Sequence, residues 1–358
     1  MAFSLPEEFF DRTSTQLLAA PVPQFLYAQM FLSAMGLSLS VGSLASPGRA
    51  PITGVGADYR DFNQDKLNLA SALPGEILAV KADFNAAPGA TLRINRPKYE
   101  STTYTAAART IALGASISTT PIQIGETQNN ITLYRFGGPY DQANSRVAPF
   151  PIEAFTANLG VHKVAQMVGN QLSYDFHKFI DAVHVLLLDQ AAVTVYPDTM
   201  TADNDATVAG MYPFTYEQLN RAEQLADQAN LPTFSDGYRC FVGTTLQLKQ
   251  LKDDRQYQRA SEFHKEYSIL FPSYVGSVGK THIFKSTTLT ITNNGSSVPI
   301  HYGHYIAPGT LMGAMGRPPS VRTSTNDNFG ETLYAIWIAD LAFKMANNSF
   351  VLSVRSSA

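Results

Sequence analysis

The chain has 358 residues, of which 24 are glycine and 20 are proline, an ordinary share that excludes collagen-like and low-complexity proteins. Hydrophobic residues make up 45% of the chain and aromatic residues 11%, which is enough apolar material to exclude disorder as its main state. Charged residues make up only 15%, against about 25% in a typical soluble domain, so we expect other subunits to cover much of the surface.

The charge balance also limits the class of partner. The 26 basic and 29 acidic residues give a formal net charge of −3. A dedicated nucleic-acid-binding protein carries a basic patch or stripe, so this balance disfavours that class. Cys240 is the single cysteine, so no disulfide can form within the chain, and folding in the reducing cytosol is expected.

Residues 1–75 are predicted to form an N-terminal arm without a hydrophobic core of its own, because several prolines and glycines interrupt them. No charged residue occurs between Thr13 and Gly48, and the stretch Phe25–Ala45 approaches the length of a membrane span. Gln29 and several serines interrupt that stretch, and no basic cluster flanks it, which disfavours a span. We expect an amphipathic helix of about 20 residues and then an extended arm on a neighbouring subunit.

Two predicted strands frame a long polar loop. Apolar and polar residues alternate in residues 90–97, which predicts a half-buried strand that ends at Pro97. A second strand is predicted at Ile131–Phe136, after a segment rich in threonine, serine and alanine. We therefore predict a protruding β-hairpin loop, which a compact domain would rarely leave uncovered.

The strongest helical signal runs from Ile152 to Ala192, where apolar residues recur at spacings of three and four and no proline intervenes. At about 1.5 Å per residue, a helix of about forty residues spans roughly 60 Å, which is more than the width of a small domain. We predict a spine helix here, with a kink near Gly160 or Gly169.

The remaining elements alternate between helix and strand. Thr215 and Gln218 predict a capping box at the start of a helix that ends near Asn230. The elements predicted after it are a strand at Tyr238–Gly243, a helix at Thr245–Lys252, strands at 281–292 and 298–306 paired around Asn294 and Gly295, and strands at Thr332–Phe343 and Phe350–Val354. Together these patterns predict an α+β chain.

Two sequence patterns suggest a binding site, and neither is complete. Residues 276–281 (GSVGKT) resemble the end of a phosphate-binding loop, but that motif needs glycine at position 274, where the chain has Tyr274. His177, Asp181 and His184 share one face of the spine helix and could ligate zinc. The i, i+4 histidine pair of metal-binding helices is absent, so we interpret these three residues as polar contacts on the helix surface.

Other reactive residue types are better explained by structural roles. His301 and His304 have no cysteine or acid within short ligand spacings, and Cys240 lies in an apolar run that predicts a buried thiol. The nucleophile motif G-x-S-x-G is absent. We therefore predict no catalytic residue, no cofactor and no metal, and a protein that is not an enzyme.

The order of the predicted parts resembles the major capsid protein of tailed bacteriophages, which has the fold called Hong Kong ninety-seven-like. The stretches that carry the resemblance are GATLRINRPKYES (89–101), VAPFPIEAFTANLGVHKVAQMVGNQLSYDFHKFIDAVHVLLLDQ (147–190), NLPTFSDGYRCFVGTTLQLKQLKDD (230–254), GSVGKTHIFKS (276–286) and NFGETLYAIWIADLAFKMANNSFVLSVRSS (328–357). They correspond to the entry to the extended loop, the spine helix, the axial-domain strand and helix, the next β-segment and the terminal strands of that family.

The resemblance implies a domain organisation for the whole chain. Its parts are an N-terminal arm at 1–75, peripheral-domain strands with the extended loop at 76–150, the spine helix of the peripheral domain at 151–199, an axial domain at 200–325, and terminal strands of the peripheral domain at 326–358. In such a fold, residues of the extended loop pair across subunits. The interface candidates are Arg93, Arg96, Lys98, Tyr99, Glu100 and Arg109.

The resemblance also implies a function. The chain is expected to assemble as pentamers and hexamers into an icosahedral virion shell in the host cytoplasm, enclosing double-stranded DNA without sequence-specific binding. Its partners would be itself and scaffolding, portal and decoration or cement proteins, with no membrane. The first alternative is a phage tail or baseplate protein that forms rings or tubes. A membrane-associated binding protein that uses the charge-free segment comes next, and an enzyme last.

Overall fold

The computed structural model describes residue 27 and residues 78–81, 89–98, 125–153, 161–197, 200–207, 211–234, 237–261, 274–325 and 332–357. The predicted N-terminal arm lies outside these residues except for Tyr27, which is helical. In chain order the elements are β1 (Leu78–Lys81), β2 (Thr91–Lys98), β3 (Gly125–Thr132), β4 (Tyr134–Gly138), β5 (Tyr140–Asp141), β6 (Arg146–Val147), β7 (Phe150–Glu153), α1 (Val161–Leu188), β8 (Val193–Val195), α2 (Tyr216–Gln228), β9 (Arg239–Gly243), α3 (Thr245–Asp253), α4 (Arg255–Ser261), β10 (Tyr274–Val278), β11 (Thr281–Lys285), β12 (Ile291–Asn293), β13 (Pro299–Ile306), β14 (Leu311–Thr325), β15 (Thr332–Met345) and β16 (Val351–Ser357).

A five-stranded sheet has the order β1-β14-β15-β4, and β7 pairs with β15 beside β4. β1 runs parallel to β14, and the other pairs are antiparallel. β15 confirms the strand predicted from Thr332 and extends it to Met345. Its odd-numbered residues Leu333 to Leu341 are buried against α1, as the two-residue period of a strand requires.

The helix α1 lies against this sheet because its apolar residues recur every three to four positions. Leu172, Phe176 and Ile180 are fully buried. Trp337 of β15 packs on Phe176, with ring centroids 5.1 Å apart, and its indole N–H donates to the Asp175 carboxylate at 2.7 Å. This arrangement fixes the position of the helix over the sheet, because the buried indole has its one donor satisfied.

The spine helix is shorter than predicted. α1 has 28 residues, about 42 Å at the standard rise, and it continues through Gly169. Its predicted start at Ile152 is wrong, because Ile152 belongs to β7 and pairs with β15. The Pro151 ring favours extended backbone at the preceding residue, which explains the strand. Gly160 lies outside the described residues.

A seven-stranded sheet has the order β10-β11-β9-β13-β16-β8, with β12 paired to β13. Its central strand β9 is buried along its whole length, which confirms the short strand predicted at Tyr238–Gly243. The predicted strand at 281–292 is two strands, β11 and β12, separated by residues 286–290. The predicted hairpin around Asn294 joins β12 and β13, whereas β11 pairs with β9 and β10.

The division of the chain into domains stays a prediction, but two strands pair in a different sheet from the other strands of their predicted domain. β14 falls within the range predicted for the axial domain, yet it pairs with β15 in the five-stranded sheet. β16 falls within the range of the terminal strands, yet it lies between β13 and β8 in the seven-stranded sheet. The chain therefore passes between the two sheets twice after residue 306.

Helix α2 begins where the sequence predicts, with Thr215 accepting a hydrogen bond from the Gln218 N–H at 3.4 Å. The predicted capping box is incomplete, because the Gln218 amide donates instead to the carbonyls of Val195 and Arg355. The complete box is at the start of α3, where Thr244 and Gln247 each accept a hydrogen bond from the other's backbone N–H.

Gly303 on β13 is required for the close approach of α3 and β9. A Cβ atom there would lie 2.9 Å from Gln247 Oε1 and 3.0 Å from the Phe241 ring. We expect Gly303→Ala to lower the free energy of unfolding by about 1–3 kcal/mol, measured by urea denaturation. The matched control is Gly295→Ala, whose Cβ would meet Asn204 at 3.6 Å, and an equal loss in both variants would contradict the explanation.

Candidate assembly surfaces and a buried polar seam

The predicted extended loop begins and ends as a hairpin. β2 and β3 pair antiparallel from Thr91 opposite Thr132 to Lys98 opposite Gly125, which confirms the strand predicted at 90–97. The strand predicted at Ile131–Phe136 is not the partner of β2: it contains the end of β3 and the start of β4, with a break at Leu133. Among the interface candidates, Arg93, Arg96 and Lys98 lie on β2, and Tyr99, Glu100 and Arg109 lie outside the described residues. The structure thus brings three candidates onto one strand, and their pairing across subunits stays a prediction.

The base of this hairpin is attached to the five-stranded sheet on the face away from α1, which we call the outer face. Ile131 and Leu133 are buried there against Met312, Ala314 and Ala342. Leu133 also exchanges backbone hydrogen bonds with Gly89 and Ala90. The hairpin therefore leaves the sheet from a fixed, apolar anchor at one end of the outer face.

The outer face also carries a buried carboxylate between two arginines. Asp340 on β15 accepts two hydrogen bonds from Arg135, at 2.8 and 3.3 Å, and lies 3.6 Å from Arg317 Nε. Asp340 is only 2% exposed, whereas both arginine side chains are partly exposed. A two-point arginine pair of this kind restricts the guanidinium orientation. Arg135 and Arg317 are thus held in place at the sheet surface.

A second set of polar residues lies inside the molecule, where α1 meets both sheets. This polar seam consists of His177, Asp181, His184, Asp189, Thr288, Thr290 and His304. The prediction that the first three lie on the helix surface is wrong, because each is at most 1% exposed. The helix is covered on two sides, so its polar stripe is buried as well as its apolar one.

Each of the two helix histidines in the polar seam donates a hydrogen bond from Nδ1. His177 Nδ1 lies 2.6 Å from the Ser173 carbonyl, and His184 Nδ1 lies 2.8 Å from the Ile180 carbonyl. A carbonyl oxygen can only accept, so each Nδ1 carries a proton. Local bonds of this type satisfy one polar atom of each ring without a partner from another element.

The carboxylates of the seam reach the segment between β11 and β12. The Thr288 hydroxyl donates to Asp181 at 2.9 Å, and the Thr290 hydroxyl donates to Asp189 at 2.5 Å. The other Asp189 oxygen lies 3.2 Å from His304 Nε2 on β13. Sequence reasoning missed Asp189 and both threonines, because their pairing depends on how the seven-stranded sheet meets the helix. These bonds fasten that sheet to α1.

Burial and these contacts shift the pKa of several groups. Burial lowers the pKa of His184 to about 4, against a weaker opposing effect of its bond to Ile180. Burial alone would raise the pKa of Asp189, but the nearby His304 imidazole and Thr290 hydroxyl outweigh it and lower that pKa. Burial also raises the pKa of Tyr27, whose ring stacks on His184 at 6.1 Å. At neutral pH the seam therefore holds an ionised Asp189 and an uncharged His184.

The other residues considered from the sequence have structural surroundings. His301 and His304 are buried in the seven-stranded sheet, and His301 Nδ1 lies 3.2 Å from the Thr244 hydroxyl. Cys240 is a buried thiol, as predicted. Residues 276–281 contain the end of β10, a two-residue turn at 279–280 and the first residue of β11.

Two further properties concern metals and membranes. In the ranges that the structure describes, no three histidine, cysteine or acidic side chains are arranged to hold a metal ion. Within those same ranges, no helix combines the length and the apolar character needed to span a membrane.

Comparison of the sequence with protein-family models and with curated proteins gives no match. Solved structures do match. The capsid of Ralstonia phage GP4 is 11% identical, with a TM-score of 0.54 over 78% of this chain and 87% of the phage chain. The capsid protein of cyanophage Pam1 is 14% identical, with a TM-score of 0.54 over 79% of this chain and 88% of that one. The capsid protein of cyanophage P-SCSP1u is 13% identical, with a TM-score of 0.51 over 77% of this chain and 86% of that one.

The two-sheet α+β architecture with its long helix and hairpin is therefore the fold of phage capsid proteins. This confirms the Hong Kong ninety-seven-like fold that the order of predicted elements implied. The similarity covers more than three quarters of this chain, so it includes both sheets and not only one local motif.

Because His184 is buried without charge, we expect acid to destabilise the fold. In the unfolded chain its pKa returns to about 6.5, so below that pH the unfolded state binds the extra proton. The free energy of unfolding should fall between pH 6.5 and 4, by roughly 3 kcal/mol in total.

The test is urea denaturation of the wild type and of His184→Phe across this pH range. The variant cannot gain a charge at this position, so its stability should change less steeply with pH. His282→Phe, at a half-buried ring on β11, is the control and should keep the wild-type slope. Equal slopes in His184→Phe and the wild type would rule out His184 as the cause.

Proposed function

We propose that the chain is a major capsid protein that assembles with copies of itself into a closed virion shell. The observation that carries this proposal is the shared fold, which extends over 78% of this chain and 87% of the Ralstonia phage capsid chain. A fold can host unrelated functions, so the proposal also needs support from the surface. That support comes from the low charge content and from exposed apolar side chains on several elements.

The exposed face of α1 is one such surface. Met167, Tyr174 and Leu186 are 59%, 44% and 65% exposed, and they lie on the side of the helix away from both sheets. A monomer that stayed alone would more often place charged residues there. Each contact through such a surface is weak, but a closed shell contains many of them, and together they make the assembly stable. These exposed apolar side chains favour a structural protein that forms many copies of the same interfaces over an enzyme.

The finer parts of the proposal concern the assembly. The shell would be icosahedral, with pentamers and hexamers, and would enclose double-stranded DNA. The net charge of −3 favours enclosure without sequence-specific binding. Scaffolding, portal and decoration or cement proteins would be partners, and assembly would take place in the host cytoplasm.

The extended loop has a specific part in this proposal. Arg93, Arg96 and Lys98 on β2, together with Tyr99, Glu100 and Arg109, would contact neighbouring subunits. Each exposed ion pair would contribute roughly 0.2–1 kcal/mol, so apolar burial must supply most of the association free energy.

The experiment is negative-stain electron microscopy with light scattering on the unfractionated protein. Closed spherical particles of megadalton mass are expected. Tubes or open rings would favour a tail or baseplate protein, and a monodisperse monomer that scaffold proteins do not convert to particles would overturn the proposal.

Deleting residues 102–124 tests the role of the loop, because it leaves β2 and β3 in place. We expect a folded monomer with an unchanged far-ultraviolet circular dichroism spectrum and no closed particles. The control is Gly295→Ala, at an exposed turn between β12 and β13, which should leave assembly intact. Shells of normal size from the 102–124 deletion would show that the loop is not needed.

A further inference from the structure

The turn between β12 and β13 contains the only Asn-Gly pair in the chain, Asn294 and Gly295. Asparagine followed by glycine loses its side-chain amide readily, because glycine has no side chain to hinder attack by its own backbone nitrogen. That nitrogen bonds to the asparagine Cγ, ammonia leaves, and a five-membered succinimide forms. Water then opens the ring to aspartate or isoaspartate. The turn is therefore a modification site whose reactivity depends on how the fold holds it.

The Asn294 amide uses all four of its hydrogen-bonding positions. Its NH2 group donates to the backbone carbonyls of Asp203 and Ala206, at 2.9 and 2.8 Å. Its Oδ1 accepts from the backbone N–H groups of Ser296 and Val298, each at 2.9 Å. We call these four bonds the amide clasp. The amide cannot rotate toward the next backbone nitrogen without breaking the clasp.

The attacking nitrogen also has a partner in the native turn. The Gly295 N–H donates to Asn204 Oδ1 at 3.3 Å. To react, this nitrogen must lose its proton and direct its electron pair at the Asn294 Cγ atom. The bond to Asn204 instead keeps the proton on the nitrogen and directs the N–H away. Both reacting groups are therefore bonded elsewhere while the turn is closed.

The two halves of the Asn294 amide act on the reaction in opposite directions. The N–H groups on Oδ1 favour attack, because they stabilise negative charge that develops on this oxygen. The NH2 group must gain a proton before it can leave as ammonia, and both of its partners are carbonyl oxygens, which only accept. We therefore attribute the suppression to the bonds of this NH2 group and of the Gly295 N–H.

The product of the reaction could not restore the clasp. A carboxylate at position 294 would place an oxygen against the carbonyls of Asp203 and Ala206, and both would lose their donor. The Asp203 side chain accepts hydrogen bonds from Arg355 of β16, at 2.5 Å, and from the Tyr302 hydroxyl, at 3.3 Å. Loss of the clasp would therefore weaken the attachment of a segment that also contacts β16.

We propose that Asn294 is a deamidation site that the native fold keeps unreactive and that opening of the β12–β13 turn activates. Opening is reversible while the amide is intact, whereas deamidation makes it permanent. Chains that have opened at this turn therefore acquire a carboxylate that prevents the clasp from forming again. This chemistry depends on the turn alone and not on what the chain assembles into.

The rate of deamidation in the folded chain tests the proposal directly. The full-length protein and a synthetic peptide of residues 290–299 are incubated in the same mildly alkaline buffer, and mass spectrometry follows the conversion of Asn294. We expect a rate about tenfold or more lower in the folded protein, because only the open fraction reacts. In concentrated urea the two should react equally fast. Equal rates of the folded protein and the peptide overturn the inference.

A matched pair of variants tests the bond of the attacking nitrogen. Asn204→Ala removes the acceptor of the Gly295 N–H and leaves the amide clasp, so the folded variant should deamidate several-fold faster than the wild type. Ser296→Ala is the control, because it removes an exposed hydroxyl from the same turn and keeps the backbone N–H. Equal rates in the two folded variants overturn the role assigned to Asn204.

Asn294→Asp reproduces the aspartate product. We expect a lower urea midpoint than in the wild type, and faster hydrogen–deuterium exchange in residues 200–207. Asn293→Asp places the same charge at the exposed neighbouring position on β12 and should behave like the wild type. Wild-type stability and exchange in Asn294→Asp overturn the inference. The rates of the wild-type protein and the peptide decide the question even where this variant does not fold.

Discussion

Burial of one helix between two sheets is the constraint on which the rest of this structure depends. The side of α1 that faces the five-stranded sheet is apolar and closely packed around Trp337. The side that faces the seven-stranded sheet is partly polar, and Asp181 on the helix and Asp189 directly after its last residue are bonded to threonine hydroxyls. Close packing of apolar side chains determines how α1 lies on the five-stranded sheet. Hydrogen bonds determine how it is oriented against the seven-stranded sheet, because burying a carboxylate without donors costs free energy. The helix therefore sets the relative position of both sheets.

Local patterns in the sequence predicted much of this fold. The strand from Thr332, the helices α2 and α3, and the hairpin strand β2 each have a period or a cap that appears within a few residues. The order of these elements was enough to imply the capsid fold. What depended on distant pairing was missed. Residues Leu311–Thr325 contain Gly316, Pro318 and Pro319, which are typical of a turn, yet β14 accommodates them as irregularities in its register with β15.

The candidate site shows the same division. The position of Arg93, Arg96 and Lys98 on a strand could be predicted from local alternation, whereas their role in an interface stays a prediction. The burial of His177, Asp181 and His184 could not be predicted in this way, because a helical stripe shows which residues share a face and not how many neighbours cover the helix. Gln218 likewise has the spacing of a capping box, but two carbonyls of the seven-stranded sheet bind its amide instead. In each case a tertiary contact decides between two local possibilities.

The position of β16 determines when the seven-stranded sheet can be completed during translation. Val351–Ser357 lies between β13 and β8, and within the described strands β8 pairs with β16 alone. During translation the seven-stranded sheet therefore lacks an interior strand until residue 357 has left the ribosome. Fragments that stop before residue 351 keep an open gap in that sheet. The seven-stranded sheet therefore depends on a strand that is translated after all the other described strands.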